Sequence, residues 1–280
     1  MMPLSLSCRI AESFLNKEVA NLSLEQLADL AVEAGFEAIC MRASQIGIQS
    51  PPAAVQNAKR ILDQRELAVT MVTGDFDIVS NNDSGPNCLQ HITPYLDLAE
   101  QLGARLLRVC IKKSSDISAA QRAADEAAER GMHLLHQCHI QSLFETLPEI
   151  KACLQAIDRA NFGLIFEAAN LEQCGQSYGP TTISELKPWI RNVYLQNQRL
   201  SPAGSLTLNT WCRGSIQFDL CEIPDCGGID FASIFEGLSA VDYTGPITVH
   251  QSAPLGDNIT ALDAATQTAR FIKTQLASAG

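Results

Sequence analysis

The chain of 280 residues reads as α/β, a single closed (β/α)8 barrel of the TIM type with an extended loop or hairpin between strands seven and eight. Three observations predict it. Eight short apolar runs alternate with amphipathic stretches, and most of the runs lack strict apolar–polar alternation, as expected of parallel strands covered by helices. Their starts lie about 27–37 residues apart as far as the seventh run, which is one βα unit each. The segment after the first run, RIAESFLNKE, contains no glycine, so an open sheet with a phosphate-binding glycine loop is disfavoured and no nucleotide cofactor is expected.

The elements follow in order. The first run opens near Ser5 (SLSCRIA). SLEQLADLAVEAGF then places Gln26 three residues after Ser23, a capping box, with Gly35 at the left-handed C-cap. The second run opens at Phe36 (FEAICMR) and the third at Ala68 (AVTMVTGDF). Gly103 closes a helix before the fourth run at Arg105 (RLLRVCI), and Gly131 closes another before the fifth at Met132 (MHLLHQCH). TLPEIKACLQAI opens on Thr146 with Glu149, and the sixth run follows at Phe162 (FGLIFEA). TISELKPWI opens on Thr182 with Glu185, ahead of the seventh run at Ile190 (IRNVYLQNQ). The eighth begins at Pro246 (PITVHQSA), about 56 residues later. The excess lies in residues 199–228, where SLTLNTW and SIQFDL, split by Arg213-Gly214, form a hairpin pattern. On a barrel such a loop stands at the C-terminal face, as a lid or as decoration.

Charge and composition narrow the partners. Thirty-one acidic against 20 basic residues leave −11, which opposes binding along a nucleic-acid backbone. No apolar run approaches the ~20 residues of a membrane helix. The opening MMPLSLSCRIAESF lacks the basic and apolar segments of a secretory leader. Ten cysteines lie singly, several inside apolar runs, and a reduced, cytoplasmic chain is expected. Cys212, Cys221 and Cys226 lack the C-x2-C pair of a zinc cluster. Cys138 shares its strand side with the helical layer, which argues against a thiolate nucleophile. His136, on that same side, is expected to be structural.

Barrel chemistry sits at the C-terminal strand ends. Strand residues two apart share a side, so Gln137 and His139 both face the mouth. His139, Glu167 and His250 offer two imidazoles and one carboxylate, a set suited to Fe and acceptable to Zn or Mn. His250 is the leading general base, since an unperturbed imidazole titrates near ~6.5. Arg42, Arg108 and Arg199 are candidates to hold a carboxylate or phosphate. Gln137, Asn170, Tyr194 and Gln196 complete the candidate substrate-binding set. Arg9 and Glu12 close strand one.

LEQLADLAVEAGFEAICMR, HQCHIQSLFETLPEIKACLQAIDRANFGLIFEAANL, NVYLQNQR and GGIDFASIFEGLSAVDYTGPITVHQ together resemble a sugar phosphate isomerase/epimerase of the xylose isomerase-like TIM-barrel superfamily. The resemblance spans essentially the whole chain. It implies one divalent metal held by Glu on strand five, Asp on six, His on seven and Glu on eight, with the glutamates as acid and base. Here those positions are Gln137, Glu167, Tyr194 and His250, while His139 matches a histidine of the family. One carboxylate weakens a site for Mg. A nitrogen-rich set that includes His139 favours Mn, Zn, Fe or Co.

Three readings follow. One is an isomerase or epimerase of a small keto-sugar, polyol or sugar acid that removes a proton beside a carbonyl. A second is a lyase that dehydrates a keto-inositol or keto-acid on the same fold. A third is a non-catalytic sugar-binding barrel. A small sugar-like ligand is the expected partner, and pairing of barrels into a homo-oligomer is compatible with the fold.

Overall fold

A computed structural model describes residues 2–254 and 259–279. Its strands are β1 (Leu4–Ser7), β2 (Ala38–Arg42), β3 (Ala68–Thr73), β4 (Leu106–Arg108), β5 (His133–Gln137), β6 (Phe162–Glu167), β7 (Ile190–Leu195), β8 (Gln198–Leu200), β9 (Leu206–Thr210), β10 (Gly214–Leu220) and β11 (Ile247–Val249). The helices are α1 (Leu24–Ala34), α2 (Pro52–Asp63), α3 (Phe76–Ser80), α4 (Thr93–Leu102), α5 (Ile117–Glu129), α6 (Leu147–Ile157), α7 (Ala168–Gln173), α8 (Pro180–Leu186), α9 (Phe231–Ala240) and α10 (Ala261–Ala279). Strands β1 to β7 and β11 form one closed parallel barrel. The ring shuts where Ile247 of β11 pairs with Leu4 on one side and Val193 on the other. No described helix is long and apolar enough to cross a membrane.

Local sequence explains the helix ends. Ser23 accepts from the Gln26 N–H while Gln26 returns a bond to the Ser23 N–H, and Gly35 takes φ +84°. Thr146 caps α6 through the Glu149 N–H. Thr182 does not cap its helix. Residue Pro180 opens α8 two positions earlier, because proline suits the first helical turn, and the Thr182 hydroxyl pairs with Ser177 at 2.9 Å instead.

Two apolar layers result. The larger lies between barrel and helices and includes Leu27, Leu62, Leu134, Cys138, Phe144 and Phe166. Each fully buried Leu or Phe there stabilises by roughly 1.5–3 kcal/mol. His136 belongs to this outer side. Its Nδ1 donates to the Val109 carbonyl at 2.9 Å, and its ring meets Phe144 edge-on. The smaller layer fills the barrel interior with Cys40, Met71, Leu135, Ile165 and Tyr194.

Between β7 and α9, strands β8, β10 and β9 form a three-stranded antiparallel sheet outside the barrel. Gly214 turns its hairpin with φ +73°. The hairpin tip is tied down by Glu145, which accepts from the backbone N–H groups of Trp211 and Cys212 at 2.8 and 2.7 Å. Phe218 of β10 packs against Phe14, 6.0 Å between ring centres, and so joins the sheet to the segment after β1.

Candidate active site

Side-chain periodicity builds the site from the barrel interior. Two residues beyond Cys40, Leu135, Ile165 and Tyr194 stand Arg42, Gln137, Glu167 and Gln196, on the same side and one layer higher. All four line a cavity of about 310 Å³ at the C-terminal end of the barrel. Arg108, His139, Asn170 and His250 line it too. The segment after β1 adds Phe14, Leu15 and Lys17, and β9 adds Leu208 and Asn209 from above.

The two buried carboxylates of this mouth are held differently. Glu12 Oε1 accepts from Arg42 Nε at 2.9 Å and from the Ser44 hydroxyl, and Oε2 accepts from Arg42 Nη2 at 2.8 Å. Arg9 Nη1 approaches Glu12 Oε2 at 3.4 Å and also donates to the Ser13 carbonyl at 2.6 Å. Glu167 has only neutral amides: Gln137 Nε2 and Asn170 Nδ2 both donate to Oε2. Among the described residues Oε1 has no partner. Burial outweighs those amides and pushes the Glu167 carboxyl up to about 7.

The imidazoles are neutral. His139 Nδ1 lies 2.8 Å from the Ile140 carbonyl. A carbonyl only accepts, so Nδ1 carries the proton and Nε2 keeps its lone pair. Burial, then Arg108, holds its pKa well below the usual range. His250 Nδ1 lies 3.1 Å from Ser7 Oγ, and its ring stacks on Tyr194 at 4.0 Å. Burial and then Arg42 and Arg108 push His250 far down as well.

The cations are the least expected feature. Arg108 is 2% exposed. Among the described residues its guanidinium has no hydrogen-bond or ion-pair partner, and its Nε is fully enclosed. Lys17 likewise lacks a partner. Burial and the charges of Arg9, Arg42 and Arg108 lower it to about 7.

The sequence-derived candidates therefore separate. His139, Glu167, His250, Arg42, Arg108, Gln137, Asn170 and Gln196 share the cavity. Tyr194 does not line it. It lies one layer deeper, 1% exposed, with its hydroxyl 3.3 Å from Cys40 Sγ. Arg199 stands outside, because the chain has left the barrel by β8, where Arg199 is opposite Asp219. Lys17 was not legible as a site residue, although it is the lone cation of residues 13–22, a segment that follows a barrel strand.

The expected metal triad is spread around the cavity. His139, Glu167 and His250 line one cavity, but their ligand atoms do not draw together. The one such group among the described residues, within 4.8 Å, is Glu145, Cys174 and Cys212. Both oxygens of Glu145 already serve the hairpin backbone there. At the barrel mouth the donor set does not fit a divalent ion. Arg42 and Arg9 occupy Glu12, while Glu167 shares the cavity with Arg108 and Lys17 and already receives two amide N–H groups.

Closed barrel, mouth cavity and polar strand ends coincide at the C-terminal face, where barrels of this kind carry their sites. The chain belongs to the Xylose isomerase-like TIM barrel family, whose model matches residues 28–275. Over 130 residues it is 25% identical to the inosose dehydratase of Geobacillus thermodenitrificans (strain NG80-2). That match covers 46% of this chain and 43% of the relative, so less than half of the curated relative's length is spanned. A xylose isomerase-like TIM barrel protein from Mycobacterium smegmatis, solved in complex with magnesium, superposes with a TM-score of 0.73 at 14% identity, covering 100% of this chain and 98% of that one. The D-allulose 3-epimerase from Methylomonas sp. superposes at 0.69 with 18% identity, covering 98% of each chain. These two likenesses concern the fold.

Proposed function

We propose that the protein is an enzyme that removes a proton from a carbon beside the carbonyl of a small, hydroxylated, sugar-like substrate. The arrangement of Glu167 carries this reading. Two amides pin Oε2, Oε1 is free, and the group titrates near neutrality, as a general base should. His250 passes from leading base to a neutral wall of the site, because burial, and then the cations around it, oppose its protonation. Neutral His139 presents Nε2 to accept from a substrate hydroxyl. Gln196 and Asn209 supply further polar contacts from opposite sides of the cavity.

Return of the proton to a neighbouring or opposite position gives isomerisation or epimerisation. Loss of a β-hydroxyl after the same step gives dehydration, a second reading favoured by the inosose dehydratase relative. The test is solvent deuterium exchange into a panel of keto-sugars, keto-inositols and sugar acids, followed by NMR. Glu167→Gln is expected to reduce exchange by about 10²–10⁴-fold. The wild-type rate should climb with pH through about 7, as Glu167 ionises. A variant rate within threefold of wild type would overturn the assignment. Release of water with a new conjugated carbonyl absorbance distinguishes the lyase outcome.

A further inference from the structure

The whole chain carries −11, yet the cavity at the barrel mouth is cationic. Arg9 and Arg42 both turn to Glu12. Among the described residues neither Arg108 nor Lys17 meets a hydrogen-bond or ion-pair partner, although both line the cavity. Leaving a guanidinium buried and unpaired is costly, since burial penalises the charge and no bond offsets it. Arg108 also opposes its own neighbours, because Arg42 is a like charge beside it. Packing does not account for such a group. An anion in the cavity would offset that cost.

We propose that the substrate carries an anionic group, a carboxylate or phosphate, and that Arg108 binds it with Lys17 closing over it from the segment after β1. This deepens the proton-abstraction reading and rests on it for the word substrate. The geometry gives each group a task. Arg108 rises from the end of β4 on the same side as Leu106, and Glu167 rises from β6, so an anion on Arg108 would fix its molecule against the free Oε1 of Glu167. A planar guanidinium with open donors suits carboxylate and phosphate oxygens alike. Lys17 loses its charge as pH rises through about 7, so anion binding should weaken above that pH.

The test uses three ligands with one polyol skeleton: D-gluconate, D-glucitol 6-phosphate and neutral D-glucitol, read by thermal shift and calorimetry on the full chain. At about a hundredfold excess over Kd, a charged ligand should raise Tm by roughly 5–10 °C. Gluconate responding alone assigns a carboxylate, and the phosphate responding alone assigns a phosphoryl group. D-glucitol should do little. Arg108→Gln should abolish the response while its ligand-free Tm stays at or above that of wild type, which shows that it folds. Lys17→Ala should weaken the response at pH 6, where Lys17 is charged and Glu167 is neutral. Equal responses to D-glucitol and the charged ligands would overturn the proposal. So would an undiminished response in Arg108→Gln, or no response to either anion at up to about 100 mM, roughly a hundredfold above a millimolar Kd. Deuterium exchange reads the other claim separately. Exchange into neutral sugars alone leaves the enzyme reading standing and removes the anion site. Anion binding with no exchange does the reverse.

Discussion

Glu12 and Glu167 lie at the same mouth, are both buried, and have opposite surroundings. Glu12 is matched by a bidentate Arg42, a nearby Arg9 and a hydroxyl. Glu167 is met by two amides, and Arg108, a cation of the same cavity, has no carboxylate partner among the described residues. The β1–β2 side of the mouth is thus electrostatically finished. The β4–β6 side holds a guanidinium without a partner among the described residues and a carboxyl raised by burial. The difference separates two kinds of buried charge. Full pairing marks the first kind, and an unpaired charge or a perturbed carboxyl marks the second.

Substitutions can break or sharpen this contrast. Glu12→Ala should show the largest loss of stability, about 3–5 kcal/mol, because Arg42 and Arg9 become buried without their partner. Denaturant unfolding reads it, and a loss below about 1 kcal/mol would mean the two sides are not different in kind. Glu167→Gln should do the opposite. The native carboxyl titrates at about 7 against an ordinary 4.5. Below pH 4.5 it is protonated in both states. As pH rises to 7 the unfolded chain ionises first, so native stability falls. The variant escapes this and should gain on wild type across that window, by roughly 3 kcal/mol at pH 8. An identical pH–stability curve for both proteins would refute it. Glu145→Ala removes the acceptor for the hairpin amides and should cost about 1–3 kcal/mol locally. Faster hydrogen exchange at Trp211 and Cys212 is the signature to look for. Tyr194→Phe should be smallest, about 1 kcal/mol or less, with turnover within threefold. A larger loss of turnover would return Tyr194 to the site.

Much of the fold was legible because strand and helix signals are local. Runs opening at Ala68, Phe162 and Ile190 are strands from those same residues, and Ser23 and Thr146 cap their helices. The site was legible only in part. Period two placed Gln137 and Glu167 on one side of their strands, and both line the cavity. Depth was not readable. Tyr194 has the parity of Gln196 but sits one layer lower, where the barrel closes around it. Partner choice was not readable either. Glu12 finds Arg42 across 30 positions, and nothing in the spacing distinguishes that arginine from Arg108. Only the fold decides which guanidinium meets a carboxylate.

The sheet of β8, β9 and β10 shares no hydrogen-bonded pair with any barrel strand. Leu208 and Asn209 nevertheless look into the cavity. This separates two kinds of inheritance. On the proposed reading, changes to the hairpin residues that line the cavity would alter which molecules are accepted while the ring of strands, with Glu167, is copied unchanged. Residues 199–228 are therefore the natural cassette to exchange between relatives when a new preference is wanted, with Glu145 kept as the clasp.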